Sequence, residues 1–243
     1  MARLERANVF IPYTIKPVVF GTFGARLAGV GRIMPMVTGL GSVFIEKTPS
    51  MRARFVRRAA VGLYRTAFKF ADTVYFQNPD DISDLRKLGA LGQSTRVDIL
   101  AGSGIDIEQF AEVPLPETSG GKPRFLMVSR LLADKGLREF AEAARVVKSR
   151  HPQVEFALVG PADTNPTAVP IEEVRSWSWI SHTPWMNDVR PALAECSVYV
   201  LPSYREGTPR SVLEAMATGR PIISTDAPGC REPVEEGING FLA

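Results

Sequence analysis

Between Phe125 and Thr225 short apolar runs alternate with amphipathic segments, and this alternation constrains the fold more than any other feature of the chain. Residues 125–128, 154–159, 197–201 and 221–225 are apolar runs of strand length, the second ended by Gly160-Pro161 and the third by Pro202. Leu137, Phe140, Ala141, Ala144 and Val147 recur at helical spacing between the first two. Residues 209–218 begin with Pro and are followed by Gly219, the asymmetry expected of a helix. Strands buried on both faces and joined through helices belong to a parallel sheet covered on each side, so the expected class is α/β.

The first half shows a fainter version of the same rhythm. Residues 9–13, 33–38, 73–77 and 97–100 read as strands, and 51–70 as a long helix. Residues 114–122 are rich in Pro, Gly and polar side chains, which predicts a linker. A chain of 243 residues then divides into a domain at 1–120 and another at 121–243.

The net charge of +3 conceals a strong asymmetry. Residues 1–70 carry twelve basic side chains against two acidic ones, whereas residues 71–243 carry seventeen against twenty-four. A segment of +10 beside a remainder of −7 predicts contact with an anionic surface, either nucleic acid or membrane. On the predicted helix 51–70, Arg54, Arg58, Arg65 and Lys69 share one face, and Phe55, Ala59, Leu63, Ala67 and Phe70 are expected to form the packed one. No run approaches the roughly 18 apolar residues of a spanning helix, because Arg26, Arg32 and Lys47 interrupt the apolar first quarter. No secretory signal is read, and the two cysteines, Cys196 and Cys230, lie at neither zinc-binding nor disulfide-framework spacing, which makes a reducing cytoplasm the expected compartment.

The segment richest in chemistry runs from Leu201 to Asp226. Gly207 and Pro209 place Glu206 in the loop after a strand, with Thr208 expected as the helix N-cap and Pro209 at the first helical position. The amides of Arg210, Ser211 and Val212 are then expected to point from the helix start toward the carboxyl edge of the sheet, where α/β folds bind ligands and where a phosphate is favoured. Glu214, one turn further on, is placed to accept hydrogen bonds from a ribose. Arg130 and Lys135 follow the first strand of this half and precede its helix, so both are expected to reach the same edge. Two cations and a helix start together stabilise a departing diphosphate without a metal.

From about Arg124 onward these residues resemble the nucleotide-binding half of the retaining glycosyltransferases of the GT-B fold, family four, in the capsule and O-antigen branch. Glu206 to Glu214 matches the Glu-x7-Glu motif of that family, and Arg130 with Lys135 its diphosphate-binding pair. The stretch from Thr225 to Glu232 and Gly237-Ile238-Asn239-Gly240-Phe241-Leu242 is also typical, while residues 13–17 and 38–41 resemble the branch's first domain more weakly.

The resemblance implies two Rossmann-like domains with parallel sheets. It implies catalytic roles for Glu206, Arg130 and Lys135, with Glu206 holding hydroxyls of the transferred sugar. Glu214, Gly207, Thr208, Pro209, Arg210, Ser211, Val212, Gly160 and His182 fall to the donor pocket. The donor is then a nucleotide diphosphate sugar, UDP-linked by expectation, with no cofactor and no metal. The acceptor is a polyprenyl-diphosphate-linked glycan, which favours an anionic membrane over nucleic acid as partner of residues 51–70 and places the protein peripherally on the inner face of the cytoplasmic membrane.

Thr38 stands where many relatives carry His, and Pro184 where Gly is commoner. Measured against the family the chain is expected to lack both the opening strand and loop of the first domain and the closing helices of the second. A sugar-nucleotide-binding remnant without transferase activity is therefore one alternative, and a sugar-nucleotide epimerase of similar fold is a second.

Overall fold

The computed structural model describes residues 7–41, 44, 50–117 and 122–243. Arg3, Glu5, Arg6, Glu46, Lys47 and residues 118–121 of the expected linker lie outside the described residues. The chain forms two compact units, Met1–Ser103 with Arg205–Thr208, and Gly104–Tyr204 with Pro209–Ala243.

The first unit contains β1 (Val9–Phe10), α1 (Thr22–Leu27), β2 (Arg32–Ile33), β3 (Met36–Val37), α2 (Met51–Phe68), β4 (Val74–Phe76), α3 (Pro79–Lys87) and β5 (Val97–Ile99). The strand expected at 33–38 is divided, because Pro35 has no N–H to continue a ladder. The part before Pro35 pairs with β1 and the part after it with β4, giving a parallel β1-β2 pair and a parallel β3-β4-β5 sheet. Val37, Tyr64, Phe68, Val74, Phe76 and Leu85 form the core here.

On α2 the packed stripe is not the expected one. Tyr64, Ala67 and Phe68 are buried and Ala60 and Val61 pack against them, while Phe55 is 75% exposed and Leu63 and Phe70 are also exposed. The neighbours of α2 choose its buried face: its core side chains join Val18 and Val19 of the turn Pro17–Gly21, and Arg57 lies over the ring of buried Phe44 at 5.6 Å.

The second unit contains β6 (Arg124–Val128), α4 (Leu137–Arg150), β7 (Glu155–Val159), α5 (Ile171–Ser176), β8 (Ser181–Thr183), α6 (Arg190–Glu195), β9 (Val198–Leu201), α7 (Arg210–Ala217), β10 (Ile222–Ser224) and β11 (Gly240–Leu242). Its parallel sheet has the order β11-β10-β9-β6-β7-β8. Leu126, Met127, Leu137, Ala144, Leu158 and Tyr199 are fully buried, each apolar side chain among them contributing about 1.5–3 kcal/mol when large. Phe156 stacks on Phe125 at 5.1 Å and meets Phe140 edge to face. Because successive connections leave β6 in opposite directions, the strand order reverses between β6 and β9, the place where such sheets open a crevice at their carboxyl ends.

The units divide between Ser103 and Gly104, upstream of the Pro- and Gly-rich stretch where the sequence places the boundary. Residues 104–117 belong to the second unit because Phe110 joins its core and Arg220, only 2% exposed, donates to the carbonyls of Val113 and Pro114 as well as those of Cys196 and Thr218.

Candidate functional site

In the second unit the loop after β6 and the loop after β9 are tied together at the carboxyl edge. The Asp134 carbonyl accepts from the Ser203 hydroxyl and the Tyr204 amide, both at 3.0 Å, and the Asp134 carboxylate accepts from Thr167 at 2.7 Å. Lys135 ends a 3-10 turn, Ala133–Lys135, which Gly136 closes in the left-handed region at φ 76° before α4 begins. Arg130 stands on the same loop, 58% exposed, with its guanidinium 2.7 Å from the Asp163 carboxylate. The Asn165 amide and Arg130 together hold Asp163 below the usual carboxylate range. The two cations that the sequence assigns to phosphate thus stand on one loop, and Arg130 is paired there with Asp163.

The first turn of α7 departs from expectation in two details. The helix begins at Arg210 with Pro209 as its N-cap, and no side chain caps it, because the Thr208 amide is held by Gln77 and the Thr208 hydroxyl turns inward. The Val212 amide donates to the Pro209 carbonyl at 3.1 Å, so only the Arg210 and Ser211 amides are without an acceptor among the described residues. Glu214 is mostly buried, with 14% of its side chain exposed, and accepts from Arg210 at 2.9 Å across one turn.

Gly160 leaves β7 so close to the neighbouring loop that a Cβ there would stand 1.7 Å from the Ser129 carbonyl oxygen, which only a glycine permits. Its carbonyl accepts from His182 Nε2 at 3.0 Å. A carbonyl cannot donate, so Nε2 carries the proton and a neutral His182 presents Nδ1 as an acceptor. Of the tryptophans, Trp177 is buried, Trp179 donates to the Ala141 carbonyl, and Trp185 is exposed with its N–H on Asn187. Cys196 and Cys230 are both fully buried, and burial pushes the Cys196 thiol up to about 11.

Glu206, Gly207 and Thr208 belong to the first unit, where the backbone of this short segment is gripped by two carboxamides. Asn78 caps α3 by accepting from the Asp81 amide and donates to the carbonyls of Glu206 and Gly207, both at 3.3 Å. Gln77 Oε1 accepts from the Thr208 amide at 3.1 Å. Gly207 runs so close to Thr38 that a Cβ would lie 2.4 Å from its carbonyl oxygen. Arg205 anchors the segment from its other end, with Nη2 2.5 Å from Asp81 and 2.7 Å from Asp84. Asp81 is completely buried, and burial pushes its carboxyl above the usual range although Arg205 pulls it down. Glu206 is half-buried on this fastened segment.

Residues 122–243 match the family described as glycosyl transferases group 1. The chain belongs to the group 1 glycosyltransferases. It is 32% identical over 238 residues to the N,N'-diacetylbacillosaminyl-diphospho-undecaprenol alpha-1,3-N-acetylgalactosaminyltransferase of Campylobacter jejuni, covering 94% of this chain and 61% of that protein. It is 27% identical to the Escherichia coli UDP-Gal:alpha-D-GlcNAc-diphosphoundecaprenol alpha-1,3-galactosyltransferase, covering 100% of this chain and 64% of that one. The chain therefore spans a little over three fifths of these relatives. Among solved structures, Anabaena HepE in complex with UDP-glucose superposes with a TM-score of 0.74 at 22% identity, over 96% of this chain and 64% of that one. Sucrose-phosphate synthase of Thermosynechococcus elongatus superposes with a TM-score of 0.77 at 21% identity, over 97% and 60%. Those likenesses establish the α/β GT-B architecture.

In this group 1 glycosyltransferase the residues that sequence reasoning missed are those that hold the named ones. Asp163 on Arg130, Asp134 beneath Ser203 and Tyr204, and Gln77, Asn78 and Asp81 around residues 205–208 all act across long sequence separations. Asn78-Pro79-Asp80-Asp81 carried one legible signal, a helix N-cap followed by Pro and two acids. Nothing in it announced that the same asparagine also grips another loop.

Proposed function

We propose that this chain moves a sugar from a nucleotide diphosphate, a UDP-sugar, to a lipid-linked glycan with retention of configuration, in the synthesis of a cell-surface polysaccharide. The observation that carries the reading is the carboxyl edge of β6 and β9, where the loop bearing Arg130 and Lys135 is bonded to the loop that leads toward α7. Cations and a helix start at a strand-order reversal suit a diphosphate. In the reaction the bond from the sugar's anomeric carbon to the diphosphate oxygen breaks and the acceptor oxygen bonds to that carbon on the same face. The acceptor's proton passes to the departing phosphate. Arg130 and Lys135 carry the developing negative charge with no metal, each charge-assisted contact contributing about 1.5–3 kcal/mol. Glu214 takes the ribose, exchanging its bond to Arg210, and Glu206 holds hydroxyls of the sugar. The Arg210 and Ser211 amides, with Gly160 and His182, complete the donor contacts, whereas buried Val212 and the engaged amides of Thr208 and Val212 do not take part.

The two relatives named for diphospho-undecaprenol-linked sugars support a polyprenyl diphosphate as the acceptor's anchor, and α2 supports a peripheral seat on the inner leaflet. Exposed Met51, Phe55 and Leu63 line the helix beside Arg54, Arg58 and Arg65, the composition of a helix that lies in an interface. Each cation near an anionic surface adds about 1 kcal/mol. No helix among the described residues is long and apolar enough to cross a membrane.

Calorimetry with UDP followed by a transfer assay with a polyprenyl-diphosphate-linked acceptor tests the proposal. Binding with turnover and retained configuration is expected. Binding without turnover selects the nucleotide-binding alternative, epimerised donor selects the epimerase, and no binding of UDP removes the donor assignment.

A further inference from the structure

Four cations of the first unit gather around a cavity that the donor chemistry does not use. Between the ends of α2 and α3 and the turn that leads into β5 lies a space of about 710 Å³, within the roughly 300–1,000 Å³ of small-molecule sites. Arg65, Lys69, Arg86 and Arg96 line it, against a single carboxylate among the described residues, Asp72, which accepts from the Ile33 amide at 2.8 Å. Among the described residues Arg86 Nε is buried there without a hydrogen-bond partner. None of the four cations has a carboxylate at ion-pairing distance among the described residues.

Helix ends account for only part of this charge. The C-termini of α2 and α3 each carry about half a negative unit, so together with Asp72 they offset about two of the four positive charges. A second cavity, of about 430 Å³, is lined by Arg54, Arg57, Arg58 and Lys87 with no acidic side chain among the described residues, where Arg57 Nε is again buried without a partner. The positive field thus continues along α2. Asp72 and Arg96 precede β4 and β5, whereas Gln77 and Gly102 follow them, so the larger cavity opens at the amino edge of the sheet and residues 205–208 sit at its carboxyl edge.

We propose that this amino-edge cavity is a binding site for phosphate groups. A net charge near +2 matches a phosphate or diphosphate dianion, and the three guanidinium forks offer paired donors to its oxygens. The phosphate comes from a lipid headgroup or from a soluble diphosphate. The site does not depend on the transfer reaction, and only its lipid source rests on the membrane contact proposed above.

The test uses the full chain carrying R130A/K135A, so that the donor edge contributes no anion binding. Inorganic pyrophosphate is titrated by calorimetry at low salt, and co-sedimentation is measured with vesicles of phosphatidylglycerol in phosphatidylcholine. Adding R65E/R96E, two exposed positions, is expected to weaken at least one of these by tenfold or more, while R26E/R32E, an equal charge reversal elsewhere in the first unit, changes it less than threefold. Loss of pyrophosphate binding alone identifies a soluble diphosphate as ligand, and loss with vesicles identifies the headgroup. The neutral pair R65Q/R96Q repeats the measurement should the reversal impair folding. No response to either cavity pair, or an equal response to R26E/R32E, overturns the site, and neither outcome bears on UDP binding by the unsubstituted chain.

Discussion

The two units treat positive charge in opposite ways. In the second, Arg124, Arg130, Arg138, Arg145, Arg190, Arg210 and Arg231 each stand against a carboxylate, on Glu195, Asp163, Glu173, Glu142, Asp188, Glu214 and Asp226. In the first, the cations of α2 and the end of α3 have no such partner among the described residues, and the one cation held by carboxylates, Arg205, is almost completely buried. Exposed pairs contribute about 0–1 kcal/mol each and mainly neutralise a surface. Cations without a carboxylate partner among the described residues repel one another, and that is the charge the proposed phosphate site would use. In the second unit seven arginines are neutralised within the fold, and among the described residues the cations of α2 are not.

The largest break in this comparison is expected at Arg205. R205A leaves fully buried Asp81 without its cation and should cost about 3–5 kcal/mol in denaturant unfolding, whereas R138A, which breaks an exposed pair with Glu173, should cost less than about 1 kcal/mol. Equal losses would show that burial does not separate the two kinds of pair. Next in size, K135A should lower transfer by about 10²–10³-fold in kcat, as removal of a preorganised charge partner does. E206Q should lower kcat while leaving UDP affinity within about threefold, and an equal fall in both would contradict its assignment to the sugar.

A smaller effect of opposite sign is expected from R65E/R96E in the full chain. Relieving repulsion should raise the unfolding midpoint slightly at low salt, and the gain should vanish near 0.5 M salt, where screening is shorter than about 5 Å. A fall in the midpoint would mean that these arginines support the fold.

The smallest effect is in pH. Asp163, Glu142, Glu173 and Asp188 have folded pKa values depressed by hydrogen-bonded partners, so what they contribute is present above the ordinary carboxylate range near pH 4 and lost as pH falls below it. Asp81 is raised by burial, so its contribution is fullest below its unfolded value and is lost as pH rises through the folded one. The melting difference between the parent and D81N should therefore shift against the parent from pH 4 to 7, and a constant difference would deny the raised value.

The same division separates what was legible beforehand. Strands β6, β7, β9 and β10 are continuous apolar runs with Gly or Pro at their ends, and period and punctuation place them within one or two residues. Arg130 and Lys135 followed from their position between a strand and a helix. On α2, by contrast, Phe55, Leu63 and Phe70 made as good an apolar stripe as Ala60, Tyr64 and Phe68, and only the partners of the helix decide between them. The Asp163, Asn78 and Asp81 contacts join residues 33 to 129 positions apart, beyond anything local spacing encodes.

The four residues Arg205–Thr208 carry a practical consequence for anyone dissecting the molecule. The polypeptide passes from one unit to the other three times, at 103/104, 204/205 and 208/209. A single cut at Gly104 therefore yields no clean halves. The leading fragment keeps Asp81 in its interior without the arginine that answers it, and the trailing fragment carries Glu206 on a tether that has lost both carboxamide grips. Fragments made that way are expected to recover their properties only when mixed, so complementation between two chains is a more faithful assay of modularity here than the behaviour of either piece alone.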